Sequence, residues 1–110
     1  MARPIYSIIS QQWSFDMKVS LRENSYHVHS RTKELKGSGI TVNCVAPGSV
    51  ATELFFAGKT EETVNRLVDS CPLGRIGQPD DVSKIVGFLA GDGGEWINGQ
   101  IIRDNGGSVV

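Results

Sequence analysis

The chain has 110 residues, 39% of them hydrophobic and 21% charged, which describes one soluble globular domain with room for a modest core. Eleven basic against twelve acidic residues leave a net charge of -1, so there is no positive field to hold a nucleic-acid backbone or an anionic membrane. No stretch approaches the ~20 apolar residues of a membrane span, and Ile5 to Ile9 is too short for a secretory signal. Cys44 and Cys71 have no Cys-x-x-Cys spacing; a buried thiol and a loop thiol in the reducing cytoplasm fit best.

Composition changes near residue 33. Segment 1–32 is rich in Ser and carries Arg3, Arg22 and Arg31 against only Asp16 and Glu23, the balance of an organellar transit peptide, though the cytosolic reading is preferred. From Trp13 to Leu21 apolar residues alternate strictly, which predicts a half-buried strand; a helix through Trp13, Met17 and Leu21 is the competing reading. Arg22 to Thr32 has no clean period. Two histidines, His27 and His29, without a third ligand in range read as surface residues, and no metal site is expected.

Beyond residue 33 the signals sharpen. Lys33 to Lys36 followed by Gly37 and Gly39 reads as a helix end. Ile40 to Ala46 alternates Ile40, Val42, Cys44 and Ala46 on one face with Val45 on the other, a strand covered on both sides that Pro47 and Gly48 terminate. After a loop, Thr60 with Glu61 and Glu62 caps a short helix bearing Val64, Leu67 and Val68, which ends before Pro72. Pro79, Asp80 and Asp81 open a second helix with a Val82, Ile85, Val86 and Leu89 stripe, closed by Gly91, Gly93 and Gly94. Gln100 to Asp104 is a final strand. A strand, a helical crossover and a second strand make a parallel pair, with ligands expected at the carboxyl ends of the strands.

The runs Ile40-Thr41-Val42-Asn43-Cys44-Val45-Ala46-Pro47-Gly48, then Thr52, then Pro72-Leu73-Gly74-Arg75-Ile76-Gly77-Gln78-Pro79-Asp80-Asp81-Val82, then Ile97-Asn98-Gly99-Gln100 and Gly106-Gly107 resemble, in content and order, the C-terminal part of a classical short-chain dehydrogenase/reductase. The resemblance implies an α/β fold: a partial Rossmann-type, doubly wound parallel sheet, strand-helix-helix-strand, over residues 33–110, preceded by an atypical segment, 1–32. It implies an NAD(P) cofactor, NADP preferred, and a small-molecule carbonyl or alcohol substrate. Pro47, Gly48, Val50 and Thr52 would bind cofactor, the Val50 backbone and the Thr52 hydroxyl meeting the nicotinamide carboxamide. Leu54, Phe55 and Phe56 would wall the substrate, with plain core packing an equal alternative. Arg75 would pair structurally with the acidic start of the following helix, and Trp96 would pack where the family closes its sheet or subunit contact.

Other family features are absent from these 110 residues. No glycine-rich loop follows a first strand to receive pyrophosphate. The family's proton donor is a tyrosine four residues before a lysine, but Ser10 follows Tyr6 and Ser30 follows Tyr26 at that spacing. No catalytic residue is therefore assigned. Asp104-Asn105 stands where the family has an apolar residue and then Asp, and a charge at Asp104 would be costly if buried without a partner. The expectation is a truncated oxidoreductase, inactive alone. The alternative is a non-catalytic interaction module, either homo-oligomeric or docking onto intact relatives.

Overall fold

A computed structural model describes residues 5–9 and 15–108, with side chains from residue 25 onward. Three parallel strands form one sheet in the order β1 (Ile5–Ile9), β2 (Thr41–Pro47), β3 (Ile101–Asp104). Ile5 lies opposite Thr41 and Ile9 opposite Val45; on the other side Cys44 meets Ile101 and Pro47 meets Asp104. Helix α1 (Phe15–Glu34) connects β1 to β2; α2 (Glu53–Phe56), α3 (Glu61–Ser70) and α4 (Pro79–Ala90) lie between β2 and β3.

The strand expected over Trp13 to Leu21 is corrected: from Phe15 onward that segment is the first half of a 20-residue helix. Trp13 itself lies outside the described residues. Two neighbouring parallel strands need a long crossover between them, and this topological demand overrides a local period of two. The same helix runs through Arg22 to Thr32, the stretch without a clean period, and His27 and His29 are exposed on it.

Elsewhere the predicted elements stand. Helix α1 gives way to a turn in which Gly37 and Gly39 take positive φ. Thr60 caps α3 by accepting from the Thr63 N–H, and Val64, Leu67 and Val68 are half-buried on its inner face. Proline opens α4, whose Leu89 is buried. The loop expected after Gly48 contains the short α2, which the sequence reading left out.

The core sits on β2, buried from Val42 through Pro47. Val42 and Cys44 pack with Val28 of α1, and Leu35 and Ile101 close around them. Val45 and Asn43, on the alternate face, are equally covered. Asn43 is the buried polar exception, and it is satisfied: its side chain donates to the Ile97 carbonyl at 3.0 Å and accepts from the Gln100 N–H at 3.1 Å. Asn98 answers by accepting from the Val42 N–H at 2.9 Å. The two asparagines thereby hold the 97–100 connection against β2 and set where β3 begins. Trp96 does not pack against this chain's own sheet: it is 95% exposed.

Candidate functional site

The carboxyl ends of β2 and β3 lie side by side, and the segments leaving them define the site. Pro47 ends β2, and Gly48 passes so close to the β3 end that a Cβ there would stand 2.7 Å from Asn105 Cβ and 2.9 Å from Asn105 Cα. Only glycine fits at that crossing. The Gly48 N–H donates to the Asp104 carbonyl at 3.0 Å, extending the ladder by one bond before the chain turns away.

Val50 then makes an isolated parallel bridge with Gly77. Gly77 supplies both bonds of that bridge, donating to the Ser49 carbonyl and accepting from the Ala51 N–H, each at 2.8 Å. In an extended segment successive peptide groups point to opposite sides, so the N–H and C=O of Val50 itself point away from Gly77. No hydrogen bond to either group is found among the described residues. An adjacent donor and acceptor on one half-buried residue form a ready complement to a planar carboxamide, as the nicotinamide ring carries.

Thr52 is the N-cap of α2, its hydroxyl oxygen accepting from the Phe55 N–H at 3.1 Å. The oxygen is used as an acceptor and the O–H proton stays free to donate. Thr52 is exposed and Gly48 and Val50 are half-buried, so these three form a rim at the carboxyl end of the sheet, with Pro47 buried beneath its start. The three residues expected as substrate walls separate. Leu54 is 79% and Phe56 47% exposed, whereas Phe55 is 6% exposed and turns inward. Phe55 packs edge-on against Phe56 and lies under the Lys59 ammonium, 4.4 Å from the ring centre. It therefore has a packing role, leaving Leu54 and Phe56 as the outward apolar pair.

Behind the rim, Arg75 grips Asp81 with two bonds of 2.7 and 3.1 Å, and Asp81 also accepts from the Gln78 N–H at 2.6 Å. The guanidinium and that N–H hold the Asp81 carboxyl well below the usual carboxylate range. Arg75 is thus the structural partner expected from the sequence, fixing the 75–78 segment on which the Gly77 bridge depends.

A cavity of about 120 Å³ lies between this segment, the back of Ser49 and Val50, and the end of β3. Cys71 and Asp104 both line it. The Cys71 thiol is covered rather than loop-exposed, reaches the Gly106 carbonyl at 3.5 Å, and is lowered chiefly by the Ser108 hydroxyl. Asp104 realises the cost read from its sequence position. Its Oδ2 is buried and has no hydrogen-bond partner among the described residues, and burial first, then the Asp81 charge, pushes the carboxyl upward.

Among the described residues α1 carries one tyrosine, Tyr26, which is 80% exposed and is followed at four residues by Ser30. No group of three His, Cys, Asp or Glu is arranged to hold a metal, and no helix is long and apolar enough to cross a membrane, again among those residues.

Comparison with known proteins gives this geometry a family. The family model described as Enoyl-(Acyl carrier protein) reductase matches residues 12–108. The NADPH-dependent aldehyde reductase-like protein, chloroplastic, of Arabidopsis thaliana is 65% identical over 77 residues, 70% of this chain and 28% of its own length. A short-chain type dehydrogenase/reductase of Picea abies is 56% identical over 77 residues, again 70% of this chain and 28% of its own. Among solved structures, hydroxysteroid dehydrogenase from Escherichia coli matches 99% of this chain and 47% of its own, with a TM-score of 0.87 at 27% identity. A 7 alpha-hydroxysteroid dehydrogenase complexed with NADH and 7-oxo glycochenodeoxycholic acid matches 98% of this chain and 45% of its own, with a TM-score of 0.84 at 26% identity. The chain spans under a third of the length of the curated relatives it matches. By the family model over residues 12–108 and these relatives, the chain belongs to the short-chain dehydrogenase/reductase family.

Proposed function

We propose that this chain carries the nicotinamide-facing rear of an NAD(P)-dependent carbonyl/alcohol oxidoreductase, NADP preferred, and that the 110-residue chain alone does not turn over. The observation that carries the reading is the free N–H and C=O pair on Val50, held outward by the Gly77 bridge. The Val50 N–H would donate to the carboxamide oxygen and its carbonyl accept from the carboxamide NH2, while the Thr52 hydroxyl donates a further bond. Such contacts fix which face of the ring is presented. When bound, the cofactor supplies the hydride; this chain's residues would only orient the ring and exclude water.

NADP is favoured because the Arabidopsis relative is named for NADPH and an aldehyde substrate. Leu54 and Phe56, both outward, would contact an apolar carbonyl compound. Inactivity of the chain alone rests on its chemistry: hydride transfer to a carbonyl needs a proton donor, and neither tyrosine has a lysine four residues on to assist its phenol. The two free thiols suit a reducing compartment, the cytosol.

A second reading, a non-catalytic module that self-associates or docks onto intact relatives, draws on the sheet itself. Among the described residues β1 and β3 each have one strand neighbour and one open edge, and open edges pair with other chains. Amide NMR of the purified chain titrated with NADP+ separates the two. Saturable shifts at Val50, Ala51 and Thr52, with no NADPH oxidation in the presence of an aldehyde, are expected; silence at these three amides would sink the cofactor reading. Concentration-dependent mass by ultracentrifugation with that silence would favour the module.

A further inference from the structure

The cavity shares Val50 with the rim, yet its charged groups carry a chemistry that the cofactor reading does not use. Its charged groups are unequal. Arg75 and Asp81 neutralise each other through a two-pronged pair, and Asp81 has a third bond from the Gln78 N–H. Asp104 has no such partner: its Oδ2 is buried and makes no hydrogen bond among the described residues. The guanidinium directs its bonds to Asp81 and the Ile76 carbonyl, and none reaches Asp104. The cavity therefore holds one net negative charge whose acceptor oxygen is unmet, beside the apolar side chains of Leu67, Ile76 and Val82.

An unmet buried acceptor next to enclosed space calls for a ligand that brings donors, and a net negative charge calls for a positive one. At about 120 Å³ the space suits a molecule of only a few heavy atoms. A bare metal ion is a poor match, since no set of three His, Cys, Asp or Glu surrounds a common point among the described residues. An alkylammonium meets all three demands: N–H donors, positive charge and an apolar tail.

We propose that the cavity between α3, the 71–77 segment and the end of β3 is a binding site for a small primary ammonium ion, its NH3+ donating to Asp104 Oδ2 and its alkyl group resting on Leu67, Ile76 and Val82. The ammonium replaces the lost hydration of the carboxylate, and the tail displaces water from apolar wall. The site touches the Val50–Gly77 bridge, but its charge demand comes from Asp104, which the nicotinamide assignment does not use.

The test is an amide NMR titration of the full chain with propylammonium chloride at constant ionic strength, with sodium chloride and tetramethylammonium chloride as comparisons. Saturable shifts at Cys71, Asp104 and Asn105 are expected with propylammonium, and none with tetramethylammonium, which has no N–H to donate. Asp104→Asn should weaken binding at least about tenfold. Asp104→Val, which returns an apolar residue to the strand end, should abolish it while the amide spectrum stays dispersed, so loss of binding is not confused with loss of fold. No saturable shift with propylammonium, equal shifts with tetramethylammonium, or unchanged affinity in either Asp104 variant would overturn the proposal.

Discussion

The ends of β2 and β3 are neighbours in one sheet, yet they handle polar groups in opposite ways. At the β2 end every polar group has a partner or faces outward: Gly48 and Ala51 donate their N–H groups to Asp104 and Gly77, Thr52 caps α2, and the free pair on Val50 is presented at the rim. At the β3 end a carboxylate is turned inward, and one of its oxygens has nothing to bond. A polar group left free at the rim costs little because water or a ligand can reach it, whereas the same group enclosed bears its full desolvation cost. The first end therefore has the character of a recognition surface, and the second that of a stability defect with binding potential.

Breaking the close approach of the two ends should have the largest effect. In Gly48→Val the new Cβ would overlap Asn105 backbone and side chain, and neither strand can retreat without losing ladder bonds. A loss of about 3 kcal/mol, or failure to fold, is expected by denaturant unfolding. An unchanged midpoint would mean that the two strand ends are not held together.

Relieving the defect should move stability the other way. Asp104→Val should stabilise the chain by about 1 kcal/mol at neutral pH, the low end of the cost of an unmet buried polar group because the residue as a whole is only half-buried. The pH dependence follows from two carboxyls shifted in opposite directions. Asp104 is raised above 3.8, so its ionisation weakens the fold; stability rises as pH falls from above its folded-state pKa towards 3.8. Asp81 is lowered below 3.8, so its stabilising charge is fully present above that value and is lost as pH falls below it. These two groups together place an optimum near pH 3.8. Asp104→Asn should flatten the upper limb alone, whereas Asp81→Asn should remove the lower limb and the part of the upper limb that its charge causes. A thermal scan against pH in which Asp104→Asn leaves the upper limb unchanged, or Asp81→Asn leaves the lower limb unchanged, would contradict this assignment.

The smallest effect sharpens the recognition end. Thr52→Ala should remove the α2 cap and one cofactor bond, costing about 1 kcal/mol in each of stability and NADP+ affinity, while Thr52→Ser should be nearly silent in both. Equal losses from the two changes would show that the methyl group, and so packing, is what matters at this position.

The legibility of these regions from sequence differed for physical reasons. Helix α4 could be read because its start signals are local: Pro79, Asp80 and Asp81 suit the first turn whatever surrounds them. Strand β2 was legible because its two covered faces demand a near-continuous apolar run. Helix α1 was not, since its amphipathic signal is faint and its residues from Phe15 to Leu21 mimic a strand; the need to connect two parallel strands decides it, and that need is visible only once β1 is paired. Asn43 was overlooked as a structural residue, though a polar side chain within an apolar strand run was the available signal.

The residue types alone determined a strand over Ile40 to Ala46, found at Thr41–Pro47, the capped helices after it, the turn that leaves the strand and the family resemblance, because propensity, capping and periodicity act over a few residues. Only the tertiary structure decided that, among the described residues, Val50 keeps both backbone groups free and Asp104 Oδ2 lacks a partner, that Phe55 turns in while Leu54 and Phe56 turn out, and that Trp96 lies outside the chain's own packing. Each of these depends on what a distant segment places alongside: Gly77 beside Val50 across 27 positions of sequence, and the Arg75–Asp81 pair beside Asp104. Local pattern carries no information about a partner that far along the chain, and burial and bonding are properties of the pair.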